Sequence, residues 1–127
     1  MSGIQITANL GFSNQKFHVG LSLVEFNEDD VVIIYSPALD LSGYGHSNEE
    51  AKKSFSETLH EFFRYTHNKN TLDKVLKDLG WSIKGTKKKP KFNPPLDSDL
   101  VSSNSLYNEI VNHKSYKVSR EDVEFAL

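Results

Sequence analysis

The N-terminal part of the chain alternates apolar and polar residues, which is typical of strands with one buried face. One such stretch covers residues 4–10 and a second covers residues 17–26. Residues 27–30 are polar turn formers, and residues 31–35 behind them form a continuous, mostly β-branched run suited to a central strand. We therefore predict three strands, of which the second and third pair as a hairpin.

A long helix is predicted after the third strand. Pro37 has no backbone donor and should end that strand in an irregular, extended exit. Ser47 and Glu50 have the spacing of a capping box, which predicts that the helix begins at Asn48. Its apolar residues recur at helical spacing until about Tyr65. They form one stripe: Ala51, Phe55, Leu59, Phe62 and Thr66.

A second, shorter helix is expected between Thr71, as its cap, and Gly80, which stands in the usual C-terminal position. Trp81 and Ile83 then alternate with Ser82 as a last short strand. Together these elements predict an α+β fold. It consists of a three-stranded antiparallel sheet with a long amphipathic helix packed on it, the short second helix and the last short strand.

The composition changes after this strand. Residues 85–95 are rich in Lys, Pro and Gly and show no apolar period, which is typical of a linker. We therefore assign residues 1–84 to the α+β domain, 85–95 to the linker and 96–127 to an acidic C-terminal tail. The tail could form a weak helix and then a strand or a second helix. Its apolar residues are too sparse for a second core, so we expect it to be conditionally folded.

Composition narrows the class of protein. The chain has 127 residues, 37% hydrophobic and 25% charged, which is ordinary for one globular domain. No apolar run approaches the roughly 20 residues that cross a bilayer, and no signal sequence is recognisable, so we expect a cytoplasmic protein. The absence of cysteine excludes disulfides, thiol catalysis and thiolate metal sites.

One local string is similar to a known family. Residues 35–51 read Tyr-Ser-Pro-Ala-Leu-Asp-Leu-Ser-Gly-Tyr-Gly-His-Ser-Asn-Glu-Glu-Ala. Together with the order of predicted elements, this string resembles the HicB antitoxin family over residues 17–83. The resemblance implies a partial ribonuclease-H-like fold without the acidic catalytic site. It also implies a protein that is not an enzyme and that neutralises a HicA-like ribonuclease toxin by direct binding and occlusion.

The resemblance leaves operator binding open. Many HicB proteins carry an additional helix-turn-helix or ribbon-helix-helix module that binds operator DNA. Residues 92–127 show no glycine turn between two clear helices, so DNA binding by this chain is in doubt. We expect a homo-oligomer, most simply a dimer, that associates through the sheet edge or a helix face.

The predicted tail supplies the candidate partner-binding residues. A toxin that binds RNA is expected to be basic, and acidic groups mixed with aromatic anchors suit such a surface. The candidates in this segment are Asp97, Asp99, Tyr107, Tyr116, Asp122 and Phe125.

A basic cluster supports an alternative function, a nucleic-acid-binding regulator. Its lysines would release phosphate counterions, and the flanking Trp81 and Phe92 would stack on bases. The cluster consists of Lys84, Lys87, Lys88, Lys89 and Lys91. A solvated linker is the simpler interpretation of the same residues.

A degenerate metal nuclease is the third interpretation. Such a site needs several converging carboxylates, and Glu25 is the single candidate in the middle of a strand. The histidines lack the spacing of helical metal ligands, and Ser47 is better explained as a helix cap than as a nucleophile. We therefore predict no catalytic residue, no metal site and no cofactor.

Overall fold

The computed structural model describes residues 16–86 and 90–126. Its elements in chain order are β1 (Lys16–Glu28), β2 (Val31–Ser36), β3 (Leu41–Gly45), α1 (Asn48–Asn68), α2 (Leu72–Asp78), β4 (Ser82–Gly85), β5 (Pro90–Asn93), α3 (Asp97–Ser103), α4 (Ser105–His113) and β6 (Tyr116–Ala126). An antiparallel sheet has the strand order β3-β2-β1-β6, and β4 pairs with β5 in a second, two-stranded sheet. The predicted α+β class is confirmed.

The predicted hairpin between the strands around residues 17–26 and 31–35 is confirmed. β1 and β2 pair antiparallel from Val24 opposite Tyr35 to Glu28 opposite Val31. The turn between them places Asp29 at a φ of 53°, a left-handed conformation that Asp tolerates better than most residues. The strand predicted within residues 4–10 lies outside the described part of the chain.

Helix α1 packs on one face of the sheet, and its backbone comes very close to β3. A Cβ on Gly43 would lie 2.3 Å from the backbone nitrogen of Phe55, and a Cβ on Gly45 would lie 2.5 Å from the Cβ of Glu50. Both glycines belong to β3, and their missing side chains are what allow the helix backbone to approach this strand. The glycines of the strand exit are therefore packing positions.

The start of α1 is confirmed, and its cap differs in one detail. The Ser47 hydroxyl accepts a hydrogen bond from the Glu50 backbone nitrogen at 3.2 Å. The Glu50 carboxylate accepts from the backbone nitrogen of His46 at 2.8 Å, one residue before the position that a standard capping box uses. The helix continues to Asn68, beyond the predicted end near Tyr65, because Thr66 is buried on the same stripe.

The apolar stripe of α1 differs from the predicted one at a single position. Phe63 is buried in place of the predicted Phe62, which is only partly buried. The two rings meet edge to face, with centroids 5.3 Å apart. The buried set is Ala51, Phe55, Leu59, Phe63 and Thr66.

Helices α3 and α4 cover the other face of the sheet. The Ser22 hydroxyl on β1 donates to the Asp97 carboxylate at the start of α3, and the side-chain amide of Asn104, between the two helices, donates to the Tyr35 hydroxyl on β2. Residues 21–24 of β1 are consecutively buried, so this strand is covered on both faces. Leu100, Tyr107 and Ile110 of the helices join the common core.

The short helix and the following tryptophan lie close to the predicted positions. Gly80 has a φ of 95° just after the helix, as expected of a C-terminal glycine. The Thr71 side chain does not cap α2, and its hydroxyl donates to the carbonyl of Thr66 instead. The Trp81 indole is buried and donates to the carbonyl of Ala38 at 2.7 Å, which anchors the chain under the exit of β2.

The predicted last strand is present as β4, but its partner was not predicted. β4 pairs with β5, which lies within the segment 85–95 where the sequence analysis expected a linker without strands. Ile83 stands opposite Phe92, and Phe92 is buried in the core. A single apolar residue on a short strand leaves no period in the sequence, which is why β5 was missed.

The predicted C-terminal tail supplies the fourth strand of the sheet. β6 pairs antiparallel with β1 along its whole length, from Phe26 opposite Tyr116 to Lys16 opposite Ala126. The observed sheet therefore shares only β1 and β2 with the predicted three-stranded sheet, whose remaining strand lies outside the described residues. Neither β3 nor β6 was predicted as a strand of this sheet, and residues 41–45 form a regular strand where an irregular exit was expected. The sparse apolar residues of this segment, which cannot build a second core, complete the first one instead, and Val123 of β6 is part of it.

We predict that Gly43→Ala destabilises the protein by about 1–3 kcal/mol, because the new methyl group meets the backbone of α1. Urea unfolding measures the free energy of unfolding. Gly20→Ala on β1 is the matched control, since its Cβ would meet only side-chain atoms of Arg120 at 3.7 Å. The control should stay within about 0.5 kcal/mol of wild type. Equal effects of the two substitutions would contradict the packing role of Gly43.

Candidate protein-binding surface

A hydrogen-bond chain ties the start of α3 to two strands of the sheet. The Arg120 guanidinium on β6 donates to the Ser22 hydroxyl at 3.0 Å, and that hydroxyl donates to the Asp97 carboxylate at 3.1 Å. Arg120 and Ser22 stand directly opposite each other in the β1–β6 pair, so their side chains share the face that carries α3. The acidic start of α3 is therefore held beside β6.

A second network holds the junction of α3 and α4. The buried Tyr35 hydroxyl donates to the Asp40 carboxylate at 2.6 Å and accepts from the Asn104 amide at 2.8 Å. The side-chain oxygen of Asn104 also accepts from the backbone nitrogen of Tyr107 and so caps α4. Burial raises the pKa of the Tyr35 phenol above its ordinary value, and the hydrogen bond to Asp40 acts in the same direction. Tyr35 thus remains a neutral donor.

Three of the predicted acidic residues lie on two neighbouring elements, α3 and β6. Asp97 and Asp99 lie in the first turn of α3 and are exposed. Asp122 is exposed on β6, on the same strand face as Arg120 two residues earlier. The bond chain through Ser22 joins Asp97 to that same arginine. These three carboxylates form what we call the acidic face.

The predicted aromatic anchors separate into different roles. Tyr107 is only 5% exposed and packs in the chain's own core, so its prediction as a partner contact was wrong. Burial, followed by the charge of Asp97, raises the pKa of its phenol. Tyr116 is 37% exposed at the start of β6 and remains accessible to a partner. The backbone of Phe125 pairs with that of Phe17.

One exposed apolar residue on β6 was not predicted from the sequence. Val118 is 55% exposed and lies on the same strand face as Tyr116. Alternation along β6 would have indicated this once the segment was known to be a strand, but the sequence left strand and helix equally open. Together, Tyr116 and Val118 form a small apolar patch beside the acidic face.

Two concave regions flank β6. A cavity of about 450 Å³ lies between α3 and the sheet and is lined by residues that include Gly20, Ser22, Asp97 and Arg120. Another of about 420 Å³ lies at the opposite end of the strand. There Lys114 bonds the Glu28 carboxylate at 2.7 Å, which raises the pKa of its ammonium group. Both concave regions are therefore lined in part by residues of β6.

The basic cluster does not form the predicted base-stacking site. Lys84 and Lys91 are exposed and stand directly opposite each other in the β4–β5 pair. Trp81 and Phe92, which were expected to stack on bases, are buried in the core, so that part of the prediction was wrong. Lys87, Lys88 and Lys89 lie outside the described residues.

Glu25 has a structural contact. The Asn48 amide at the start of α1 donates to the Glu25 carboxylate, which ties the helix to β1. Within residues 16–86 and 90–126, no group of three or more histidine, aspartate or glutamate side chains could hold a metal ion. In the same part of the chain, no helix is both long and apolar enough to cross a membrane.

Comparison of the chain with protein-family models, with curated proteins and with solved structures finds no match. The similarity to the HicB family stays a prediction from residues 35–51 and the order of elements.

We predict that alkaline pH destabilises the protein through Tyr35. Because its pKa is raised, the folded state keeps the proton to higher pH than the unfolded chain does. The stabilisation is complete below the ordinary value of 10.0 and is lost as the pH rises through the folded pKa. Urea unfolding at pH 8 and pH 11 should therefore show a larger loss in wild type than in Tyr35→Phe.

The matched control for this prediction is Tyr65→Phe, because Tyr65 is 61% exposed. Its loss between the two pH values should equal that of wild type. If Tyr35→Phe loses as much stability as wild type over this interval, the buried phenol is not the responsible group.

Proposed function

We propose that this protein is the antitoxin of a HicA/HicB-type pair, which neutralises a small ribonuclease toxin by binding it and covering its RNA-binding surface. It acts by contact and catalyses no reaction. The observation that carries the proposal is the acidic face: Asp97, Asp99 and Asp122 are exposed on α3 and β6, and these two elements are held together through Ser22. The sequence similarity over residues 17–83 supports the same function independently.

Charge complementarity is the physical basis of this proposal. A protein that binds RNA offers lysine and arginine side chains to phosphates, and an acidic surface competes for those side chains. Opposite charges also accelerate association, which favours rapid neutralisation. Tyr116 and Val118 beside the acidic face provide exposed apolar area for the desolvated centre of an interface.

Rigidity also supports an occluding role. The first turn of α3 is held to β1 and β6 through Ser22 and Arg120, and the end of α3 is held to β2 through Asn104 and Tyr35. A surface that is already ordered loses little conformational entropy on binding. The acidic face thus differs from a disordered inhibitory tail, which would have to fold on the toxin.

We predict that the triple variant Asp97→Asn, Asp99→Asn and Asp122→Asn binds the toxin at least about tenfold more weakly at low salt. The probe is the basic ribonuclease encoded by the neighbouring gene, with affinity measured by calorimetry and neutralisation measured as growth of co-expressing cells. The difference from wild type should shrink at high ionic strength, because salt screens exposed charges.

A control variant with the same loss of charge is Asp29→Asn, Asp30→Asn and Asp73→Asn, whose positions are exposed in the β1–β2 turn and in α2. This variant should bind as wild type does. Absence of any complex between the chain and the neighbouring gene product would refute the antitoxin function. Equal weakening by both variants would refute the acidic face as the binding site.

A further inference from the structure

The outer edge of β6 is available for pairing. β6 ends the strand order β3-β2-β1-β6, so within the described residues its backbone has a strand partner only on the side of β1. In an antiparallel ladder, alternate residues direct their N–H and C=O groups to opposite sides of the strand. Among the described residues, the groups on the outer side of residues 116–126 therefore have no strand partner.

Glu121 is an unusual residue at this edge. It is only 5% exposed, and its Oε2 atom is buried without a hydrogen-bond partner among residues 16–86 and 90–126. It stands directly opposite Leu21 and therefore lies on the strand face that α1 covers. A buried carboxylate oxygen without a partner is costly, so a cation beside this carboxylate would stabilise it.

Lys117 lies on the same face of β6, four residues before Glu121, because it stands opposite Glu25. It is exposed and forms no ion pair with any described residue. The two charges are opposite in sign and symmetric about Ser119. An antiparallel copy of the same strand, centred on Ser119, would place each Lys117 opposite the Glu121 of the other copy.

The other registers of such a pair are less favourable. In an antiparallel pair, directly opposed residues lie on the same face of the sheet. A two-fold axis perpendicular to the sheet meets this condition only if it passes through a residue position, because an axis midway between two residues would oppose side chains of different faces. Centres at Arg120, Glu121 or Asp122 place identical charges opposite each other. A centre at Val118 pairs only residues 116–120 and leaves Glu121 outside. The centre at Ser119 pairs residues 116–122 and has no directly opposed like charges.

We propose that β6 pairs with β6 of a second copy of this chain, antiparallel and centred on Ser119, to form a dimer with one continuous sheet. Lys117 of each copy compensates Glu121 of the other on the face of α1. On the opposite face, Tyr116 stands across from Asp122 and Val118 from Arg120. The self-complementary charges of this strand favour a second copy over an unrelated partner. The inference does not depend on the antitoxin proposal.

Cysteine cross-linking of the full chain tests the register. Because the chain contains no cysteine, Ser119→Cys introduces a single thiol, which meets its symmetry mate at the roughly 4.5–5.5 Å Cα distance of directly opposed residues. We expect most of this variant to run as a disulfide-linked dimer after mild oxidation. Val118→Cys is the matched control, since its thiols would be offset along the strand and should remain mostly uncross-linked.

Charge reversal tests the ion pairs. Lys117→Glu places a glutamate opposite Glu121 of the other copy at both symmetry-related positions. It should raise the dimer dissociation constant at least about tenfold in sedimentation experiments. The double variant Lys117→Glu with Glu121→Lys should restore dimerisation. Lys84→Glu, a change of the same charge on exposed β4, should leave the constant unchanged.

Several outcomes would overturn the proposal. They are a monomeric wild-type chain at concentrations of hundreds of micromolar, equal cross-linking of Ser119→Cys and Val118→Cys, or maximal cross-linking at another position of β6. Hydrogen exchange on a dilute, monomeric sample adds a further test. Amides on the outer side of β6 that are protected in the monomer would mean that the chain's own residues cover this edge.

Discussion

The burial of β1 on both faces is the constraint on which the rest of this structure depends. A strand that is apolar on both sides must be covered twice, and one helix can cover only one side. Helix α1 covers the first side, where Gly43 and Gly45 allow it to approach β3. Helices α3 and α4 cover the second side, and α3 carries Asp97 and Asp99 of the acidic face. The candidate binding surface is therefore a consequence of completing the core.

Elements that depend on neighbouring residues could be predicted from the sequence. The hairpin of β1 and β2, the start of α1 at Asn48 and the C-terminal position of Gly80 each follow from a short pattern with a local physical cause. The α+β class followed from the order of these elements. Where the local pattern was ambiguous by one position, as at Phe62 and Phe63, only the packing direction of the helix decides which ring is buried.

Features that depend on distant residues could not be predicted in this way. The pairing of β6 with β1 joins the two ends of the described chain, and no local period reports which strand a segment will meet. For the same reason, Tyr107 and Phe92 looked like exposed aromatics until their partners were known. The acidic residues of the candidate binding surface were identified by composition. That α3 lies beside β6 could be recognised only from the contacts between Ser22, Asp97 and Arg120.

The pairing of β1 with β6 also affects how the chain is made. Arg120 meets Ser22 across 98 positions, so during synthesis β1 stays unpaired on that side until residues 116–126 have left the ribosome. Completion of the sheet therefore waits for β6. A chain that terminates early presents a bare, apolar strand edge, which is a substrate for aggregation and for cellular proteases. The presence of β6 thus decides whether this edge of β1 is protected.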